Sequence, residues 1–215
     1  MLKVTFSQNN KEGLQLLLLG AHCDDIEIGC GGTLLKLIDN FQIKQVIWMV
    51  LTSNKTRKKE AVSSAKAFLK PVKDIDIKIH NYEDGYLPSV WSDVKKEFEE
   101  TKKRYTPDII FTHYRHDLHQ DHRVINELTW NTFRNHTIFE YEIAKYDGDL
   151  GNPNFFVTLD KNQVRKKIEL ILQHFESQRG KQWFDDMLLS SMMRIRGVEC
   201  AVKYAEAFYT RKIVS

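Results

Sequence analysis

A chain of 215 residues with 42% hydrophobic and 28% charged side chains has the size and make-up of one soluble globular domain spanning residues 1–215, able to bury roughly 70% of the surface its unfolded form exposes. A formal net charge of +3 is too small, and the basic residues too dispersed, to argue for nucleic acid or an anionic membrane as partner. Three cysteines with no CxxC pair argue against a disulfide framework and fit a reducing compartment. No signal-peptide pattern opens the chain, and the apolar run from Leu14 to Leu19, broken by Gln15, is far too short to cross a bilayer, so a cytoplasmic location without membrane insertion is expected.

In chain order, Leu16-Leu17-Leu18-Leu19 reads as a buried strand, Gly29-Cys30-Gly31-Gly32 as a turn, and Leu34, Leu35, Leu37 and Ile38 as one face of a helix. Residues 45–51 form a second strand, and Ala61, Ala65, Phe68 and Leu69 recur at helical spacing. The period-two stretch at 75–79 predicts a third strand nearer a sheet edge. Residues 90–105 are amphipathic and helical, 108–112 a fourth strand, and 124–133 a further helix. The remainder predicts a strand over 137–143, a loop at 151–154, and helices over 161–176 and 190–207. Strands alternating with helices of this length imply a mainly parallel α/β sheet with helices on both faces.

Two polar clusters stand out. His22-Cys23-Asp24-Asp25 follows the first strand directly, and His116-Asp117-Leu118-His119-Gln120-Asp121-His122 follows the fourth. Ligands of open α/β sheets bind outside the carboxyl ends of the strands, so a parallel sheet would bring these distant segments together. Two or three imidazoles with a carboxylate suit a borderline metal, zinc first and ferrous iron second. A catalytic site of this kind also needs a carboxylate to take a proton from water and a donor for the leaving group. His80, His113, His136 and His174 are read as structural, because a lone histidine beside a strand usually is. The glycine-rich segment lacks the G-x-G-x-x-G spacing of a nucleotide cradle and is read as close helix–strand packing. Of the later aromatic residues, Trp130, Tyr146, Phe155, Phe156 and Trp183 are candidates to stack on a sugar or a base, with core packing the commoner use.

At these residues the sequence resembles the PIG-L/LmbE-like deacetylase family, whose motifs are Ala-His-Pro-Asp-Asp-Glu and His-x-Asp-His. The first here is Ala21-His22-Cys23-Asp24-Asp25-Ile26 and the second His119-Gln120-Asp121-His122. Arg57-x-x-Glu60 is similar to the family's Arg-x-x-Glu helix, and the segment from Arg196-Gly197 through Tyr204-Ala205-Glu206-Ala207-Phe208 to its C-terminal helix. The resemblance implies a Rossmann-like fold and hydrolysis of an N-acetyl group on a small sugar-containing substrate. It implies His22, Asp25 and His122 as metal ligands, Asp24 as general base, and His119 as the group that stabilises the oxyanion or protonates the amine. Asp121 would orient a ligand histidine from behind, and Arg57 and Asp117 would touch substrate. Cys23 and Ile26 depart from the motif, the latter where its glutamate carries neither ligand nor base role. A two-His-one-carboxylate iron oxygenase and a non-catalytic sugar-binding module use similar residues; the helical spacing argues against the first, and retention of all five chemical residues against the second. A homo-oligomer is left open.

Overall fold

The computed structural model describes residues 13–214; the first dozen residues, on which the expectation about a signal peptide rests, lie outside them. Strands β1 (Leu14–Gly20), β2 (Ile43–Thr52), β3 (Ile75–Tyr82), β4 (Ile109–His113), β5 (Thr137–Tyr141), β6 (Phe155–Leu159) and β7 (Tyr204–Tyr209) form one sheet in the order β3-β2-β1-β4-β5-β7-β6. The first five pair in parallel, and β7 pairs antiparallel with both β5 and β6.

Both faces of the central strands are covered, which is why they read as near-continuous apolar runs. Leu16, Leu18, Val46, Trp48 and Phe111 point into one core, and Leu17, Leu19, Ile47, Met49 and Ile110 into the other. The first core is closed by α1 (Asp25–Asn40), α2 (Lys55–Phe68) and α5 (Lys161–His174), the second by α3 (Trp91–Arg104) and α4 (Gln120–Thr132). Strand β3, period-two in sequence, is an edge strand as expected. The α/β architecture with helices on both faces is thus present.

Two expectations need correction. Residues 29–32 are not a turn but part of α1. A Cβ at Gly29 would penetrate the Tyr141 ring, and one at Gly32 would lie 2.6 Å from Leu159 Cδ1, so these glycines permit a helix to lie against β5 and β6. Residues 190–207 are not one helix. The last helix, α6 (Asp186–Glu199), ends before a turn in which Ala201 is left-handed (φ 61°), and β7 follows. Alanine and glutamate favour a helix, but here pairing in the slot between β5 and β6 overrides that preference. Strand β6 was not foreseen either.

Glu206 of β7 reaches back to α1. Its carboxylate accepts from Gly32 N (2.8 Å), Thr33 N (2.6 Å) and Lys167 Nζ (2.6 Å), while Lys167 also donates to the Ile28 carbonyl (2.6 Å). Both side chains are buried, so this pair clamps α1, α5 and β7 together. Breaking a buried pair strands a charge and costs about 3–5 kcal/mol. Lys167→Met is expected to lose that much in urea unfolding, and Lys167→Met/Glu206→Gln to lose less than the single variant; a loss under about 1 kcal/mol for the single variant would refute the clamp.

Glu27 of α1 is buried with both oxygens unpartnered, and the Ser64 hydroxyl near it completes no hydrogen bond. Burial pushes its carboxyl up from 4.5 to about 8. Below 4.5 both folded and unfolded states hold the proton; between 4.5 and 8 folding must take one up, so stability falls by up to about 1.4 kcal/mol per pH unit there. Glu27→Gln is expected to flatten this decline in the metal-free protein, gaining on the parent as pH rises from 5 to 8. Parallel stability–pH curves for the two proteins would contradict it.

Candidate metal centre

The order of the sheet reverses at β1, which lies between β2 and β4, and a crevice opens outside the carboxyl ends of β1 and β4. Leu16, Leu17 and Leu18 pair with Ile109, Ile110 and Phe111. Four residues separate β1 from α1, and six separate β4 from α4, so the loops 21–24 and 114–119 meet. Both motifs therefore border one cleft of about 730 Å³.

His22 and His122, a hundred positions apart, are in contact: His22 Nδ1 lies 3.1 Å from His122 Nε2. Asp25 Oδ2 is 3.3 Å from that His22 nitrogen and 3.6 Å from that His122 nitrogen. Bonds of 2.0–2.2 Å at tetrahedral angles separate neighbouring ligand atoms by about 3.3–3.6 Å, so the three donors already form one face of such a site. The other nitrogen of each ring faces a carboxylate. His122 Nδ1 meets Asp117 Oδ2 at 2.9 Å, and His22 Nε2 meets Asp121 Oδ2 at 3.3 Å and Asp84 Oδ1 at 3.0 Å. Carboxylates behind histidines fix the tautomer and aim the free lone pair. Asp121 is itself held by Gly85 N (2.7 Å) and Leu87 N (3.1 Å).

The electrostatics suit a cation. Burial and the neighbouring His113 push His122 down to about 4, keeping it neutral as a ligand must be. Burial opposes charge on His22 too, but Asp25, Asp121 and Asp84 outweigh it and raise its pKa well above 6.5. Burial would raise Asp25, yet His122, His113 and His22 hold it well below the usual carboxylate range. A metal ion would take the place of the proton these groups attract. The donor chemistry, the spacing and the fixed tautomers fit a divalent ion.

Asp24, the residue before α1, is buried, and burial raises its carboxyl even though Arg57 Nη2 lies 2.9 Å from Oδ2. The His119 ring lies 4.7 Å from both the His22 and His122 rings. Its Nδ1 accepts from Asp121 N (3.2 Å), and burial together with His22 lowers its pKa.

Asp117 and Arg57, the two expected substrate contacts, are both engaged within the protein. Asp117 is buried and occupied, accepting from His119 N (2.8 Å) and meeting His122 and Lys145 (3.0 Å). It stands on the Nδ1 side of the His122 ring. Arg57 lines the cleft but spends its guanidinium on Asp24 and Glu60, the latter at 3.1 Å. His113, read as structural, packs directly against the cluster. Fully buried, it accepts from Ala21 N (2.9 Å), lies 3.1 Å from Asp25 Oδ2 and stacks on His122 at 3.8 Å. It closes β4, one residue past where the strand was read to end, so the rule that chemistry sits at carboxyl ends could have found it. Lys145 was missed, with no local signal to mark it.

The family model described as GlcNAc-PI de-N-acetylase matches residues 17–133, more than half of the chain and the span holding both motif loops. Among solved structures, N,N'-diacetylchitobiose deacetylase from Pyrococcus horikoshii is 24% identical with a TM-score of 0.68, over 95% of this chain and 87% of that one. The zinc-inhibited form of teicoplanin deacetylase Orf2 is 13% identical, TM-score 0.70, over 91% and 97%. The same fold also carries 4-carboxy-2-hydroxymuconate hydratase from Pseudomonas putida KT2440, 14% identical, TM-score 0.70, over 94% and 98%. At these identities the structures share a fold, while the family match reaches the motifs themselves. With its two motif loops converging on one histidine–aspartate cluster inside the matched span, this chain belongs to the PIG-L family.

Proposed function

We propose that this protein is a zinc-dependent N-deacetylase that releases acetate from an N-acetylated sugar conjugate. The observation that carries the reading is the triangle of His22 Nδ1, His122 Nε2 and Asp25 Oδ2, with sides of 3.1, 3.3 and 3.6 Å and each imidazole backed by an aspartate. The family match and the deacetylases of the same fold support amide hydrolysis on a sugar. The hydratase of that fold shows why the reaction class must be assayed directly.

His22, Asp25 and His122 would hold the ion; zinc suits two nitrogens and one carboxylate oxygen, and ferrous iron takes the same set. Such an ion lowers the pKa of water to about 7 and polarises a carbonyl. Asp24, buried beside the ligands with a raised pKa, accepts the water proton as oxygen attacks the acetyl carbon. Arg57 keeps the Asp24 carboxylate aimed through its 2.9 Å contact. His119 lines the cleft, and the Asp121 backbone N–H on Nδ1 leaves its Nε2–H to hydrogen-bond the developing oxyanion, while Asp24 returns the proton it took from water to the leaving nitrogen as the C–N bond breaks. Water and amide thereby become acetate and a free amine. Asp117 and Asp121 act through the ligand histidines and touch no substrate. Three free cysteines accord with a reducing, cytoplasmic setting, and among the described residues no helix is long and apolar enough to cross a membrane.

Two measurements test these roles. General-base removal typically costs about 10²–10⁴-fold, so Asp24→Asn should retain one zinc per chain by elemental analysis while acetate release falls by that order; His122→Ala should lose both. Normal turnover by Asp24→Asn, or full metal content in His122→Ala, would refute the assignments. Removing a carboxylate behind a ligand histidine costs about 10–100-fold in metal affinity. Asp117→Asn is therefore expected to release zinc to a competing chelator at correspondingly lower chelator concentration, and an unchanged affinity would return Asp117 to a substrate role.

A further inference from the structure

Ile143, Ala144, Lys145 and Tyr146, which follow β5, form part of the wall of the cleft. Among them Lys145 carries its charge into a confined place, with its side chain only 13% exposed. A lysine is seldom so withdrawn unless it is paired. Lys145 Nζ lies 3.0 Å from Asp117 Oδ2 and bonds Asp149 Oδ2 as well. Both carboxylates are more deeply buried than the ammonium that joins them, at 2% and 6% exposure.

The two carboxylates grip the loop that leads into α4. Asp149 Oδ2 accepts from Leu118 N (2.7 Å), and Asp117 Oδ1 accepts from His119 N (2.8 Å). Asp117 Oδ2, the oxygen that meets Lys145, also meets His122 Nδ1 at 2.9 Å. Three consecutive residues, Asp117, Leu118 and His119, are thus fixed by one bridge of carboxylate, ammonium and carboxylate. A single end of that bridge faces the His122 ring and holds the His119 backbone. Without the ammonium, two buried carboxylates would face each other with too little positive charge between them, a costly arrangement that moving either one relieves. The path of the loop has a second support, because Arg123 Nη1 donates to the carbonyls of Asp117 (3.2 Å) and Leu118. Loss of Lys145 therefore frees the Asp117 carboxylate to turn while the loop stays folded.

We propose that Lys145 is a positioning residue of the metal centre: its ammonium holds the Asp117 carboxylate against the His122 ring and the His119 backbone, so that tight metal binding and turnover both depend on it. It acts through Asp117 and bonds neither the ion nor the reacting amide. This rests on His122 as a ligand and deepens the deacetylase reading, and metal affinity tests it without any substrate.

Zinc affinity of the full chain is measured by competition with a chromophoric chelator, beside acetate release from N,N'-diacetylchitobiose at saturating zinc. Lys145→Met is expected to bind zinc about 10–100-fold more weakly, the cost of disturbing a carboxylate that orients a ligand histidine. Its kcat should fall while KM stays at the parent's value. Lys145→Arg, which keeps a cation beside Asp117, should recover most of the zinc affinity. In an Asp117→Asn background the same Lys145→Met change should cost much less than in the parent, because residues that act through one another are not additive. Parental zinc affinity in Lys145→Met, even with a lowered thermal midpoint, overturns the proposal. So does a fully additive loss beside Asp117→Asn, or a loss that Lys145→Arg does not recover at all. A raised KM with zinc affinity and kcat unchanged places Lys145 on the substrate and overturns it too. If Lys145→Met fails to fold, Lys145→Met/Asp149→Asn, which strands no charge at Asp149, decides in its place: weakened zinc binding upholds the proposal and parental binding overturns it. A parent that releases no acetate, with zinc still weakened by Lys145→Met, sinks the deacetylase reading and leaves the positioning role standing, whereas a parent that binds no zinc overturns both.

Discussion

The parallel pairing of β1 with β4 is the constraint on which the site depends. Leu16 to Leu18 register against Ile109 to Phe111, and each strand is then followed within a few residues by a helix. Two loops with no neighbourhood in sequence are thereby fixed side by side, one carrying Asp24 and the other His119. Apolar side chains alternate into two separate cores, and a slip of one residue in either strand would exchange those cores and swing its loop away. The energy that holds the donors at contact distance thus comes from burial of leucine and isoleucine in the sheet, remote from the chemistry.

At the site the organising device is a set of buried aspartates that divide their work. Asp25 faces His22 Nδ1 and His122 Nε2, Asp117 and Asp121 face the other nitrogens of those rings, and Asp24 pairs with Arg57. Burial of so many carboxylates in one place is costly unless each has a positive or hydrogen-bonding partner. Here each has one. The network extends outward, because Asp117 also anchors Lys145 and with it the segment bearing Tyr146. One buried carboxylate therefore touches both His122 and the wall of the cleft.

Much of this was legible in the residues. Apolar runs separated by helical periodicities specify a parallel sheet, and the two histidine–aspartate clusters fall where such a sheet puts its chemistry. Other features depend on contacts that no local pattern encodes. His113 looks like any strand residue until the fold stacks it on His122 and sets it against Asp25. Asp117 is one of several acids in a polar loop, and only the turn into α4 points it at His122 Nδ1. Tyr204-Ala205-Glu206-Ala207-Phe208 has the composition of a helix, and becomes β7 because Glu206 must meet Lys167 and the α1 backbone across the sheet.

The identity of the atoms around the ion is the central claim, and a zinc-loaded crystal structure at the absorption edge of the metal tests it directly. The account predicts one zinc bonded at about 2.0–2.2 Å to His22 Nδ1, His122 Nε2 and a carboxylate oxygen of Asp25, with Asp117 and Asp121 unbonded to it. Zinc seated instead among Asp25, His113 and His122, or on His22, Asp84 and Asp121, both of which also cluster in this protein, would contradict it.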